Sequence, residues 1–137
     1  MSLEVAHKPE LEQDQMTVLV VEDEVLIRLM VADALRLQGI TVIEASNADE
    51  AMHVLQSVLA VQLLLTDIRM PSSLDGLALA QAARVARPGL KLIVASSQRA
   101  DDEVMNLADA FFSKPYDLNA IVNRVKSLLE EVQHGEQ

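Results

Sequence analysis

The chain has 137 residues with 21 Asp and Glu against 11 Lys and Arg, a formal net charge of −10 at pH 7; half of its residues are hydrophobic, yet only Phe111, Phe112 and Tyr116 are aromatic. That length allows one domain with an aliphatic core, and the charge opposes the electrostatics that draws proteins to nucleic acid or anionic lipid. The lack of cysteine excludes disulfides, thiolate metal sites and cysteine nucleophiles. No apolar stretch approaches the ~20 residues of a membrane helix, so the reading is a soluble, cytoplasmic protein without nucleic-acid or membrane partners.

Residues 1–15 are polar and acidic, contain Pro9 and lack periodicity, which reads as a mobile tail; the domain is expected over 16–132 and a short C-terminal tail over 133–137. From Met16 onward, short apolar runs alternate with longer segments of helical spacing. The first run, Thr17 to Val21, is followed by a helix over Val25 to Gln38 that stops at Gly39, a residue suited to a left-handed helix end. A second run, Ile40 to Ala45, precedes a helix opened by Asn47, with Glu50 three residues on as in a capping box, and running to about Leu59. The third run, Gln62 to Thr66, leads to a helix that starts near Asp75-Gly76 and ends before Pro88-Gly89. After the fourth, Lys91 to Ala95, only a short, weakly patterned helix fits within Arg99 to Leu107. The fifth, Ala110 to Ser113, is followed by Asp117 as N-cap. Beyond it Leu118, Ile121, Val122, Val125, Leu128, Leu129 and Val132 form one apolar stripe at steps of three and four.

Alternating strands and helices with short connections imply parallel strands joined by right-handed crossovers: an α/β, doubly wound, three-layer sandwich with helices on both faces of a five-stranded parallel sheet. Ligands in such sheets bind at the carboxyl ends of the strands. There the first strand runs into Glu22-Asp23-Glu24, the third into Asp67, the fourth into Ser96-Ser97 and the fifth into Lys114-Pro115. Crowded carboxylates repel unless a cation screens them, and a few hard oxygen ligands suit Mg2+. Taken singly, each residue has a plainer use, the acids as loop residues or N-caps and the lysine as a solvated charge. Together they supply a carboxylate nucleophile, a metal cage, a hydroxyl donor and a cation, the parts that phosphoryl transfer needs.

The motifs VLVVEDE, LLLTDIRMP with a following DG, LIVASS and FFSKPYD, each at a strand end and in this order, resemble the receiver domain of two-component response regulators over roughly Met16 to Val132. The resemblance implies a flavodoxin-like, CheY-like fold. It implies Asp67 as the acceptor of a phosphoryl group from a sensor histidine kinase or histidine phosphotransfer protein, with Glu22 and Asp23 as the acidic pair. Mg2+ would be held by Asp23, Asp67, the backbone carbonyl of Arg69 and, through water, Glu22. Lys114 would pair with the phosphoryl group, Ser96 would swing toward it, and Phe111 would follow that swing. A cis bond is expected at Lys114-Pro115. Phosphorylation, adding roughly two negative charges at Asp67, would bias the surface of the fourth helix, fifth strand and fifth helix, available to an unknown downstream protein or to a homodimer.

Three departures from the family pattern stand out. Ser72-Ser73-Leu74 lengthens the loop before Asp75-Gly76 by one residue; Ser96 and Lys114 stand about one helical turn closer in sequence than is usual; and Leu107 replaces a customary glycine. Arg69 and Gln98 are placed to overhang the phosphoryl group and alter water access to it. Two other functions remain open on the residues alone: an interaction module that works without phosphorylation, and an aspartate-nucleophile phosphohydrolase, against which stands Arg69 where such enzymes carry a second acid. His7, His53 and His134 show no ligand spacing, and the six methionines read as core gap fillers.

Overall fold

The computed structural model describes residues 16–57, 60–68, 75–97 and 102–135. Within them the order is β1 (Thr17–Val21), α1 (Val25–Leu37), β2 (Thr41–Ala45), α2 (Ala48–Gln56), β3 (Leu63–Thr66), α3 (Gly76–Ala86), β4 (Lys91–Ser96), α4 (Asp102–Leu107), β5 (Ala110–Ser113) and α5 (Leu118–Gly135). The five strands form one sheet in the order β2-β1-β3-β4-β5, every neighbouring pair parallel. The expected doubly wound α/β sandwich is thus the observed one, with the 2-1-3-4-5 strand order of flavodoxin-like folds.

The side-chain period of two along each strand feeds two separate cores. Val18, Val20, Leu63, Leu65, Ile93 and Ala95 point to one face, where Val31 and Leu35 of α1 and Ile121, Val125, Leu128 and Leu129 of α5 cover them. Leu19, Val21, Leu64, Leu92 and Val94 point to the other, beneath Ala51 and Leu55 of α2, Leu79 and Ala83 of α3 and Val104 of α4. Because both faces are covered, β1 and β3 are buried at every position, which is why these strands read as unbroken apolar runs.

The ends of the helices follow the local chemistry. Gly39 takes φ 84° directly after α1, a conformation that side chains disfavour. Asn47 Oδ1 accepts from the Glu50 N–H at 2.8 Å, but the returning arm of the capping box reaches one residue further back than expected: Glu50 Oε1 accepts from the Ser46 N–H at 2.7 Å. These bonds from Ser46 hold the Glu50 carboxyl below its ordinary pKa. Removing the Asn47 cap leaves an orphan N–H at the start of α2, so Asn47→Ala is expected to cost about 1 kcal/mol, read as a lower midpoint in urea with unchanged slope.

Three expectations are corrected. Helix α2 ends at Gln56 with Ser57 as its C-cap, short of Leu59, which lies outside the described residues together with the tail at 1–15 and Arg69 to Leu74. Residues 133–135, expected in the C-terminal tail, belong to α5; apolar periodicity marks only the buried stripe, which ends at Val132, and does not report where the backbone hydrogen bonding of the helix stops. Methionine fills the core at Met16, but Met30 and Met105 are more than half exposed. His53 is exposed on α2.

Candidate functional site

The carboxyl ends of β1, β3, β4 and β5 bring together residues 47 and 92 positions apart in the chain. Glu22 follows β1 and Asp67 follows β3, the two central strands, and both are buried. Lys114 follows β5, with its backbone N–H donating to the Ser96 carbonyl at 2.9 Å. Its Nζ donates to Asp67 Oδ2 at 2.8 Å and to Glu22 Oε1 at 2.5 Å, and the three side chains are all about nine-tenths enclosed. The Lys114–Pro115 peptide bond is cis, as expected.

Burial alone would favour the neutral amine at Lys114, but hydrogen bonds and charge from Asp67 and Glu22 prevail and hold the ammonium above its ordinary pKa. For Glu22 the balance goes the other way: burial raises its carboxyl above the usual 4.5 despite the opposing Lys114 ammonium and Glu24 N–H. The Lys114 ammonium therefore does not fully offset the burial of the Glu22 carboxylate. Asp23 stands beside them and is more open; carboxylate oxygens of Glu22, Asp23 and Asp67 all lie within 4.8 Å of one another. Hard oxygen donors at that spacing fit a divalent cation that keeps part of its water shell, as Mg2+ does.

The end of β3 is gripped from α3. Asp75 caps that helix, its Oδ1 accepting from the Ala78 N–H at 2.8 Å, and the Gly76 N–H donates to the Ile68 carbonyl at 2.8 Å. A Cβ on Gly76 would stand 1.9 Å from the Asp67 carbonyl oxygen and 2.6 Å from Ile68 Cα, so only glycine allows this approach.

Ser96 is fully buried at the end of β4, whereas Ser97 is exposed and lines a cavity of about 510 Å3 with Asp23, Asp67 and Lys114. Ile27 and Met30 of α1, with Pro115 and Tyr116, form the apolar wall of this cavity. Phe111 is only half-buried, packed on the core beneath α2, α3 and α4, because β5 is an edge strand beside a six-residue helix. Arg69 and Gln98 lie outside the described residues. Sequence reasoning missed the Tyr116 wall; its signal was the position two residues after Lys114, on the same loop.

Comparison with known proteins agrees with this geometry. Residues 18–126 match the response regulator receiver domain family. The chain is 36% identical over 120 residues to the sensor kinase CckA of Brucella abortus, covering 84% of the chain and 13% of that kinase. It spans about half or less of the curated relatives it matches. Among solved structures, a CheY-like receiver domain protein from Methanospirillum hungatei superimposes with TM-score 0.80 at 26% identity, covering 89% of this chain and 98% of that one. The response regulator TrrA of Thermotoga maritima, solved in complex with Mg2+-BeF, superimposes with TM-score 0.73 at 27% identity, covering 82% and 98%. The family match takes in every strand end that builds the acid site, from Glu22 to Lys114, so the chain belongs to the receiver domain family of two-component response regulators.

Proposed function

We propose that this receiver domain accepts a phosphoryl group on Asp67 and uses it to switch a protein-binding surface. The observation that carries the reading is the Lys114 ammonium held between the Asp67 and Glu22 carboxylates inside a cluster of three acids. An Asp67 carboxylate oxygen attacks phosphorus, the N–P bond of a donor phosphohistidine breaks, and the imidazole leaves with the bonding pair, giving an acyl phosphate. Lys114 then exchanges part of its contact with Asp67 for a phosphoryl oxygen. Glu22, Asp23 and Asp67 would hold Mg2+, together with the Arg69 carbonyl. The ion supplies charge neutralisation to the transferring group, and TrrA, solved with Mg2+-BeF, supports that choice.

The donor is a sensor histidine kinase or a phosphotransfer protein in the cytoplasm. Its approach is served by α1, whose Leu26 and Met30 are exposed, Met30 at the wall of the cavity. Ser96 and Phe111 form the switch, and α4, β5 and α5 the surface read by a downstream protein or a second copy. Incubation with acetyl phosphate and Mg2+ is expected to add one phosphoryl mass to the wild type and none to Asp67→Asn, as read by intact mass spectrometry. An unmodified wild type, or equal modification of both, would sink the reading.

A further inference from the structure

The acidic residues Glu22 and Asp23 sit on the turn between β1 and α1, and α1 starts without a side-chain cap to fix that turn. Besides its Oε1 bond from Lys114, Glu22 is held at three further atoms. Its N–H donates to the Ala45 carbonyl across the sheet at 3.1 Å, its Oε2 accepts from the Glu24 N–H at 3.1 Å, and its carbonyl accepts from Arg28 Nη1 at 2.9 Å. The third bond differs in kind, because it comes from a charged side chain one turn into α1. The same guanidinium is bound through Nε to Glu44 Oε1 of β2 at 3.2 Å. Arg28 and Glu44 are only 16% and 22% exposed, so water competes weakly for bonds that already carry charge.

We infer that Arg28 is a positioning residue for the cation site: braced on Glu44, it clamps the Glu22 carbonyl and so sets where the Glu22 and Asp23 carboxylates point. This rests on the reading that those acids hold Mg2+. The structure also contains the control. Arg36, further along α1, binds the other oxygen of Glu44 at 3.0 Å and the Val42 carbonyl at 3.1 Å, tying the same helix to the same strand through contacts made away from the turn. If Arg28 merely tied α1 to β2, losing either arginine would act alike. If it positions the acids, only Arg28 should affect the cation.

The test is Mg2+ titration of the full chain by calorimetry, with thermal midpoints measured in parallel. Arg28→Gln is expected to raise the Mg2+ Kd about tenfold, the lower end for losing a group that orients a ligand. Arg28→Lys, whose single ammonium cannot span Glu44 and the Glu22 carbonyl at once, should fall between it and wild type, while Arg36→Gln should bind like wild type even where its midpoint drops. If Arg28→Gln does not fold, Arg28→Lys and Glu44→Gln carry the comparison against Arg36→Gln. Equal Kd values for the Arg28 and Arg36 variants overturn the inference. Absence of Mg2+ binding by wild type, or unaltered binding by Asp23→Asn, instead overturns the metal reading on which it rests.

Discussion

Gly76→Ala is expected to destabilise the domain by about 2–3 kcal/mol, in the upper part of the range for overpacked sites, although alanine is ordinarily the better helix former by about 1 kcal/mol. The new methyl carbon would meet the Asp67 carbonyl oxygen at 1.9 Å and the Asp67 carbonyl carbon at 2.8 Å. Both belong to the backbone just past the end of β3, so no side chain can turn aside to relieve the contact. Either α3 withdraws, breaking the Gly76–Ile68 hydrogen bond, or Asp67 shifts. A shift of about 1 Å at a reacting group costs on the order of 100-fold in rate. Slower phosphorylation by acetyl phosphate at saturating Mg2+ is therefore expected together with the lower midpoint. A variant as stable and as reactive as wild type would show that the acceptor strand does not depend on this contact.

Lys114→Met should produce the second large effect, and one whose size depends on magnesium. Removing the ammonium leaves Glu22 and Asp67 buried and close together without the cation that bridges them. Breaking an enclosed pair in this way typically costs 3–5 kcal/mol; with the cavity opening beside it, about 2 kcal/mol is expected here. For a domain of this size that corresponds to a fall of roughly 6–8 °C in Tm. Added Mg2+ should restore more of the Tm in the variant than it adds to wild type, because it replaces the missing positive charge. A raised lysine pKa stabilises the fold below the unfolded value near 10.5 and loses that contribution as pH climbs through the folded value. The difference between the two proteins should accordingly be full at pH 7 and shrink in strongly alkaline buffer. A Tm unchanged by the substitution at pH 7 would overturn this account.

Much of the site was legible because its residues stand at strand ends. Glu22, Asp67 and Lys114 are far apart in the chain, yet the apolar runs before them name three parallel strands, and parallel strands deliver their next residues to one edge. The same logic named Ser96 and Ser97 without choosing between them: alternation buries one hydroxyl and exposes the other. Arg28 was not legible, since its partner Glu44 lies on another element and no helical spacing links them. The aspartate-glycine pair was noticed as a motif, but its reason, a missing Cβ against the acceptor backbone, exists only once α3 is docked. Helix ends were less legible than strands, because capping depends on individual hydrogen bonds and apolar periodicity reports only the buried face.

The strand order also bears on how the domain folds. Lys114 follows β5, an edge strand paired only with β4, while Glu22 and Asp67 follow strands at the centre of the sheet. The ion triad therefore closes only when β1, β3, β4 and β5 have all joined the sheet, and bringing together groups 47 and 92 positions apart costs chain entropy that local contacts do not. Any ligand that binds the finished acid site draws on the whole folded sheet, and so protects all of it from unfolding, rather than stiffening one loop.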